Sequence, residues 1–407
     1  MNALLGLDLR GRRVLVAGGG RVAARRVRRF LAEGAEVVVV APAATEDLAT
    51  QALHGDVEWR RTAVAPQDLD GAWLAVAATD DPDVNDAVAS WAAQRRIWCV
   101  NASNAAAGTA RQAATSTHGE VRIGVLSTDK PDPARIRGVR DAISAHVDSG
   151  GVDLRRRRKG AGRVILVGSG PGDPGLLTVR ARQALAEAHV VVSDRLGATE
   201  VLATLPYDVE VLNVGKSPEK HPVPQEEINR LLVDRAGAGA TVVRLKGGDP
   251  FLFGRGGEEI AACVAAGIPV EVVPGVSSAF AVPGLAKIPV THREVTASVV
   301  VSGGHAGPDP AAIAAVAKGA TGVFLMAVAS LPDICEAALA AGVSPTTPVA
   351  LIESGSTPRE RVTRGTVASI AQLAQEAEVK PPAIVVIGEV ARPGFLGAAG
   401  PNGEPPT

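Results

Sequence analysis

Aromatic residues are scarce in this sequence and make up 3% of its 407 residues. So few rings argue against a protein that stacks the bases of single-stranded nucleic acid. The formal net charge is −1, which removes the electrostatic case for a polyanionic partner. Because hydrophobic residues nevertheless make up 46%, the sequence predicts a large core built from Val, Leu, Ile and Ala.

Cysteine is also rare: Cys99, Cys263 and Cys335 lie far apart, without the CxxC spacing of zinc sites. This usage fits a reducing compartment, and we expect no bound metal. The first residues contain no long apolar segment of a signal peptide, and no apolar run is long enough to span a bilayer. We therefore expect a cytoplasmic protein with neither nucleic-acid nor membrane partners.

Strands alternate with helices along most of the chain, which is typical of α/β folds with parallel, doubly wound sheets. A weaker stretch over 103–162 predicts one strand, one helix and a basic linker. Aliphatic runs predict strands at 13–17, 35–40, 73–78, 97–100, 121–126, 164–167, 190–193, 209–214, 241–245, 270–273, 298–302, 322–326, 348–352 and 383–387, and helices at 21–33, 83–94 and 133–147.

The first strand leads into Gly18-Gly19-Gly20-Arg21-Val22-Ala23, the G-x-G-x-x-A form of a dinucleotide fingerprint. Amide groups at a helix N-terminus suit a pyrophosphate, so the motif favours dinucleotide binding over a vestigial fold. The carboxylate usual at the end of the second strand is missing, because that strand ends in Val40-Ala41-Pro42. With Arg21 and Arg25 nearby, the sequence leaves NAD and NADP both open.

A second glycine-rich stretch follows another buried strand and reads Lys246-Gly-Gly-Asp249, then Gly254-Arg-Gly-Gly257. Glycine lets the backbone approach a ligand closely, and open α/β sheets bind ligands at the carboxyl ends of their strands. The turn at 168–178 is no phosphate loop, because its two prolines remove N–H donors. Polar turns that follow further strands suggest one shared cleft, at Asp194, Lys216 and Gly275.

These motifs, with those at 224–229 and 289–293, resemble the uroporphyrinogen-III C-methyltransferase family, in order, over residues 160–392. The N-terminal block resembles the dehydrogenase/ferrochelatase module of the siroheme synthases at 18–23 and 74–81. The whole chain thus resembles a fused siroheme synthase. This implies a Rossmann-like NAD-binding domain followed by a two-lobed tetrapyrrole-methylase (class III methyltransferase) α/β domain. We expect a dehydrogenase-like domain at 1–113, a reduced dimerisation segment and basic linker at 114–160, a methyltransferase at 161–392 and a disordered tail at 393–407.

The resemblance implies transfer of methyl groups from S-adenosylmethionine to two pyrrole carbons of uroporphyrinogen III, giving precorrin-2 for siroheme, or also cobalamin, biosynthesis. Asp194 would accept a proton, and Lys216 would either donate one or bind a substrate carboxylate. The cofactor would contact Pro171, Gly247, Gly248, Asp249, Leu252, Ser277, Ser278, Met326 and Gly355. Four basic residues are candidate contacts for the substrate carboxylates, namely Arg195, Arg255, His292 and Arg293. The family's methyltransferase is a homodimer, and we expect the same here.

For the N-terminal module, the resemblance implies oxidation of precorrin-2 with NAD, and insertion of iron. Two departures argue against these activities: Ser103 and Asn104 stand where the family carries an aspartate, and the dimerisation segment is short. The sequence predicts an active methyltransferase and leaves the N-terminal activities open. NAD would contact Gly18, Gly20, Arg21, Val22, Pro42 and Ala43.

Three alternatives stay beside this interpretation. One is methylation of a later precorrin, which the fused N-terminal module argues against. Another is a protein whose N-terminal module is a non-catalytic NAD-binding or structural domain. In its extreme form the whole chain is a scaffold that catalyses no reaction. The third is an RNA methyltransferase, which the low charge and the few aromatic residues oppose.

Overall fold

The computed structural model describes residues 3–128, 130–155, 160–194, 197, 199–215 and 223–396. Its internal contacts divide the chain into two units, residues 1–145 and 146–407. Most of the predicted basic linker, at 156–159, lies outside the described residues, as does the predicted tail from 397 onward. Short 3-10 helices lie at Pro66–Leu69, Pro174–Leu176, Thr199–Thr204, Gly304–Ala306 and Glu389–Ala391.

The first unit is built on a five-stranded parallel sheet in the order β3-β2-β1-β4-β5. Apart from Arg13 and Glu36 at their starts, its central strands are aliphatic, because helices cover both faces of a parallel sheet. The strand order reverses between β1 and β4, and such a switch point is where open α/β sheets bind ligands. The strands are β1 (Arg13–Ala17), β2 (Glu36–Val40), β3 (Glu58–Arg60), β4 (Leu74–Ala77) and β5 (Trp98–Asn101).

Three helices cover this sheet: α1 (Arg21–Ala32), α2 (Glu46–Leu53) and α3 (Pro82–Gln94). The buried residues of α1 recur every three or four positions, which gives the helix one apolar stripe toward the sheet. Helix α3 begins sharply because the Asp81 side chain accepts the N–H of Asp83 (2.9 Å) and a proline occupies the first helical position.

A hairpin of β6 (Ala114–His118) and β7 (Val121–Val125) precedes helix α4 (Pro133–Asp148). Arg140 of α4 donates to the carbonyl oxygen of Thr115 (3.1 Å), which ties the helix to the hairpin. The sequence predicted β7 and α4 but missed β6, because Ala-Thr-Ser-Thr-His shows no aliphatic alternation.

The second unit begins with a lobe whose five strands are all parallel, in the order β10-β9-β11-β8-β12. Strand β11 is buried along its whole length although it contains an arginine and a lysine. The elements are β8 (Arg163–Gly168), α5 (Val179–Ala186), β9 (Val190–Ser193), β10 (Glu210–Asn213), α6 (Gln225–Gly237), β11 (Thr241–Lys246), α7 (Gly256–Ala265) and β12 (Val270–Val273).

The second lobe has a mixed sheet in the order β13-β14-β17-β15-β16, in which only β13 and β14 pair in parallel. Helix α8 joins its core, where Val282 packs with Val323 and Val386. The elements are α8 (Ser278–Leu285), β13 (Val299–Gly303), α9 (Pro310–Ala317), β14 (Thr321–Leu325), α10 (Leu331–Ala340), β15 (Pro348–Glu353), β16 (Arg361–Thr366), α11 (Ile370–Glu376) and β17 (Ala383–Ile387).

The predicted fold class is confirmed: a Rossmann-like unit precedes a two-lobed α/β unit. The domain bounds themselves stay predictions. All three cysteines are free and buried, and burial raises the pKa of Cys99 and of Cys335 to about 11, so both thiols stay protonated near neutral pH. Among the described residues, no helix combines the length and apolarity that a membrane crossing requires.

Candidate functional site

Loops after three neighbouring strands of the first lobe touch one another backbone to backbone. Gly168 ends β8, and a Cβ placed on it would lie 2.5 Å from the N and Cα of Gly275, which follows β12. A Cβ on Gly275 would lie 2.2 Å from the carbonyl oxygen of Gly248, which follows β11. No side chain fits at either position, so the three loops can approach this closely only because glycine occupies both positions.

Two of these loops are also joined by hydrogen bonds. The Gly248 N–H donates to the Gly170 carbonyl (2.8 Å), and the Gly170 N–H donates back (3.2 Å). Both glycines have positive φ, +73° for Gly170 and +67° for Gly248, in the left-handed region that favours glycine. The Ser169 hydroxyl donates to the Lys246 carbonyl (2.9 Å). The glycine-rich stretch predicted as a ligand loop is thus held to the neighbouring loop by hydrogen bonds at Lys246 and Gly248.

Asp249 links the second loop to the third. Its Oδ1 accepts the N–H of Phe251 (2.9 Å), and its Oδ2 accepts the N–H of Gly275 (3.1 Å). Each carboxylate oxygen has further acceptor capacity. Asp249 therefore holds the loops in place, and its predicted contact with the cofactor stays a prediction.

The second lobe contributes loops to the same place. The Ser356 hydroxyl accepts the N–H of Asp173 from the first lobe (2.9 Å). Met326, Ser354 and Ser356 have φ of +54°, +51° and +66°, which is unfavourable for residues with side chains. These residues follow the carboxyl ends of β14 and β15. Backbone strain of this kind collects at ligand-binding sites, which makes these turns candidates for cofactor contact.

The nine residues predicted to hold S-adenosylmethionine all lie on these loops or at their margins. Met326 is 51% exposed, whereas the other eight are half-buried. Leu252 packs against the second-lobe core that contains Val282. Ser277 caps helix α8 by accepting the N–H of Ala279 (3.2 Å). The structure thus places all nine residues on or beside loops that follow the carboxyl ends of strands, and their contact with the cofactor stays a prediction.

A buried charged cluster lies beside these loops and consists of Asp194, Arg244, Lys246 and Glu259. Arg244 donates to Asp194 Oδ1 (2.7 Å) and to Glu259 Oε1 (2.9 Å), and Lys246 donates to the same Glu259 oxygen (3.0 Å). The side chains of Arg244, Lys246 and Glu259 are 2%, 4% and 0% exposed, whereas that of Asp194 is 28% exposed. Of the four, Asp194 is therefore the member that a substrate can reach.

The cluster balances two positive against two negative charges, as a buried ionic group must. Burial lowers the pKa of Lys246, and the neighbouring Arg244 guanidinium lowers it further, against the attraction of Glu259. Glu259 Oε1 also accepts from Gln225 (3.3 Å), whereas its buried Oε2 has no partner among the described residues. Sequence reasoning missed Arg244 and Glu259 as site residues. The sequence did contain a signal for them, because strand β11 carries two cationic residues, Arg244 and Lys246, among aliphatic ones.

The predicted substrate contacts are less well placed. Lys216 and Arg195 lie outside the described residues. Arg255 is exposed and pairs with both oxygens of Glu258 (2.8 and 2.6 Å), so a substrate carboxylate would have to displace that partner. His292 and Arg293 are exposed, and His292 Nδ1 lies 2.8 Å from the Arg293 carbonyl oxygen.

The glycine turn of the first unit is as crowded as that of the second. A Cβ on Gly18 would lie 2.3 Å from the Ala78 carbonyl oxygen, and one on Gly19 would lie 2.0 Å from that of Ala43. A Cβ on Gly20 would meet no atom within 4 Å. Gly20 precedes α1 and has no side chain to cap it, so the first N–H groups of this helix suit an anionic ligand.

The remaining residues predicted to hold NAD surround this turn. Arg21, Val22, Pro42 and Ala43 are exposed at the same edge of the sheet. Strand β2 ends at Val40 without an acidic residue, as the sequence indicated. Among the described residues, no group of three or more His, Cys, Asp or Glu side chains is arranged to hold a metal ion.

Comparisons with known proteins divide the chain in the same way. A family model described as tetrapyrrole (corrin/porphyrin) methylases matches residues 163–371, and a putative NAD(P)-binding model matches residues 5–113. Siroheme synthase 3 of Aeromonas hydrophila is 39% identical, covering 93% of this chain and 92% of its own. The siroheme synthase of Methylobacillus flagellatus is 35% identical, covering 95% of each chain. The solved structure of a cobalt precorrin-4 methyltransferase is 26% identical over 58% of this chain and 99% of its own, with a TM-score of 0.51.

Proposed function

This chain belongs to the siroheme synthase family, and we propose that its second unit transfers methyl groups from S-adenosylmethionine to uroporphyrinogen III, giving precorrin-2. One observation carries this proposal: loops of both lobes meet where glycines make close backbone contacts, beside the Asp194 carboxylate, which the buried Arg244 bonds. The product would serve siroheme biosynthesis, and cobalamin biosynthesis where that pathway exists.

The loops suit a cofactor that must be held in one orientation. S-adenosylmethionine supplies a methyl group already activated by its sulfonium, so the protein needs chiefly to align it with the pyrrole carbon. The backbone of Gly248 exchanges two hydrogen bonds with Gly170, and Met326 lies in a turn with positive φ, which supports the assignment of Gly247, Gly248 and Met326 to the cofactor. With them we assign Pro171, Asp249, Leu252, Ser277, Ser278 and Gly355 to the cofactor.

Asp194 is the proposed proton acceptor. Methylation of a pyrrole carbon places a positive charge on the ring system, and a proton must leave to restore neutrality. Arg244 bonds one oxygen of Asp194 and so orients the carboxylate, while the partial exposure of Asp194 leaves it within reach of substrate. Lys216 keeps two possible roles, proton donor or contact for a substrate carboxylate. Arg195, Arg255, His292 and Arg293 are the further proposed carboxylate contacts.

The first unit binds NAD in this proposal, through Gly18, Gly20, Arg21, Val22, Pro42 and Ala43. The crowded glycine turn and the uncapped start of α1 support a pyrophosphate there. We further propose that the protein acts as a homodimer in the cytoplasm, with domains at 1–113 and 161–392 flanking the segment at 114–160. Sedimentation of the purified chain would test the dimer.

The central experiment incubates the purified full-length chain anaerobically with uroporphyrinogen III and S-adenosylmethionine, and follows S-adenosylhomocysteine and precorrin-2. We expect two methyl transfers per tetrapyrrole. Calorimetry with S-adenosylmethionine runs in parallel. Cofactor binding without turnover would contradict this substrate and direct the search to later precorrins. Absence of cofactor binding would indicate a non-catalytic protein.

A further inference from the structure

Two buried asparagines connect the loops at the carboxyl edge of the first unit's sheet. Asn101 is the last residue of β5, and Asn85 lies in the first turn of α3. They are 4% and 1% exposed. A buried amide destabilises the fold unless each of its polar atoms has a hydrogen-bond partner. The partners of these two asparagines therefore show which residues they hold in place.

The orientation of the Asn101 amide is fixed by its loop. Its Oδ1 accepts the N–H of Ser103 (3.0 Å), the hydroxyl of Ser103 (3.0 Å) and the N–H of Asn104 (2.9 Å). Its Nδ2 must therefore face the other way, where it donates to Asp86 Oδ1 (2.7 Å). The Asn104 side chain adds longer contacts of 3.4 Å to both oxygens of Asp86.

Asn85 continues the same network on its other side. Its Oδ1 accepts the N–H and the hydroxyl of Thr79 (both 2.9 Å). Its Nδ2 donates to the Thr79 carbonyl (3.0 Å) and to the Ser103 hydroxyl (3.1 Å). Ser103 thus joins the two asparagines, and the network as a whole is neutral except at Asp86, whose carboxylate is exposed.

The network lies next to the glycine turn. The position of a Cβ on Gly18 is 2.3 Å from the Ala78 carbonyl oxygen and 3.0 Å from the Thr79 nitrogen that Asn85 holds. A dinucleotide with its pyrophosphate on this turn lies across the switch point between β1 and β4. Pro42 and Ala43 occupy the β2 side of that point, whereas Asp86 occupies the β4 and β5 side. The reactive ring of the dinucleotide would then lie on the side of Asp86.

We propose that Asp86 is the catalytic proton acceptor of an NAD-dependent oxidation in the first unit, with the precorrin-2 made by the second unit as substrate. This inference rests on the proposed function. The substrate loses one hydrogen with its bonding electron pair, as a hydride to C4 of NAD⁺, and one proton to Asp86. The products are NADH, the protonated carboxyl group and a tetrapyrrole oxidised by two electrons. The carboxylate missing at Ser103 is thus supplied by another element, α3.

A purely structural role for Asp86 would be to tie α3 to the loop after β5. Asp86→Asn separates the two roles, because its amide oxygen still accepts from Asn101 but it no longer takes a proton at neutral pH. A structural tie predicts nearly normal oxidation in this variant. Proton acceptance predicts a large loss at unchanged NAD affinity.

The test supplies precorrin-2 and NAD⁺ anaerobically to the full-length chain and follows NADH, with NAD binding measured separately by calorimetry. For Asp86→Asn we expect kcat to fall about 10²–10⁴-fold, with KM for NAD and the rate of uroporphyrinogen III methylation unchanged. Asp83→Asn, an exposed position on the same helix, is the matched control and should keep the wild-type rate. Asp86→Glu should recover part of the loss.

Oxidation by Asp86→Asn within about twofold of wild type would overturn the proposal, as would a wild-type chain that binds NAD but forms no NADH. Because precorrin-2 is supplied, the oxidation test does not depend on the methyltransferase. A chain that fails to methylate uroporphyrinogen III would refute the proposed methylation and leave the role of Asp86 to be judged from the oxidation rates.

Discussion

The two glycine-lined edges of this molecule hold a carboxylate in opposite ways. In the second unit, Asp194 is bonded by a charged arginine that is itself buried against Glu259. In the first unit, Asp86 is bonded by neutral asparagines whose remaining polar atoms are satisfied by the backbone. A buried cation orients a carboxylate strongly but needs a buried counter-charge. An amide network orients it without that requirement.

The sharpest test of the comparison is Asp194→Asn. The asparagine oxygen keeps the Arg244 bond but loses the ability to accept a proton, so methylation should fall about 10²–10⁴-fold. S-adenosylmethionine binding should persist, and oxidation of supplied precorrin-2 by the first unit should be unchanged. Rate measurements for both reactions in one preparation check this. Methylation within about tenfold of wild type would show that another group accepts the proton.

Removal of the buried Arg244 guanidinium should lower the stability of the fold. The amide network around Asp86 contains no buried cation whose removal could have this effect. Arg244→Met leaves Asp194 and Glu259 with a single buried lysine, and we expect the free energy of unfolding to fall by about 3–5 kcal/mol. Urea denaturation of the full chain measures the change. Arg235→Met is the matched control, since its pair with Glu210 is exposed, and its loss should be far smaller. Equal losses would mean that burial of the cluster carries no special energetic weight.

One glycine at each edge can be replaced by alanine, a crowded one in the second unit and an open one in the first. Gly275→Ala places a methyl group against the Gly248 carbonyl oxygen, so we expect a loss of about 1–3 kcal/mol in unfolding free energy and weaker S-adenosylmethionine binding. Gly20→Ala meets open space at an ordinary φ of −78°, so the fold should lose no more than about 1 kcal/mol. Thermal denaturation and calorimetry follow both. A stable Gly275→Ala with normal binding would remove the argument for a main-chain site.

The smallest expected effect concerns a partly exposed ion pair. Its contribution to the free energy of unfolding is a reference for that of the buried cluster. The Arg180 guanidinium bonds Glu271 at 2.7 and 2.9 Å and lowers the pKa of that carboxyl group. A lowered folded pKa gives stability that is present above the unfolded value and is lost as the pH falls through the folded value. Glu271→Gln should therefore cost roughly 0.5 kcal/mol near neutral pH, after allowance for solvent screening, and nothing in strong acid. Urea midpoints at the two pH values decide this, and a cost independent of pH would exclude the ion pair as its source.

The sequence predicted the buried strands well because a strand covered on both faces is a run of aliphatic residues, as in β1 and β8. It missed β3 and β16 because these edge strands are polar and are defined by their neighbours. The glycine turns were visible through their spacing. The contacts of Lys246 with Glu259 and of Asp86 with Asn101 were not, because they join residues 13 and 15 positions apart that only the fold brings together.

The mutual contact of Gly168, Gly248 and Gly275 also limits how this protein can change. At Gly168 and Gly275 the clash that excludes alanine is with the main chain of another glycine of the three, and not with a side chain that a second mutation could shorten. At Gly248 it is the positive φ of +67° that favours glycine. No pair of substitutions therefore opens a path away from glycine at Gly168 or Gly275. Any variant with a different cofactor preference would have to alter the surrounding residues, such as Leu252 or Met326, while this core of three glycines stays as it is.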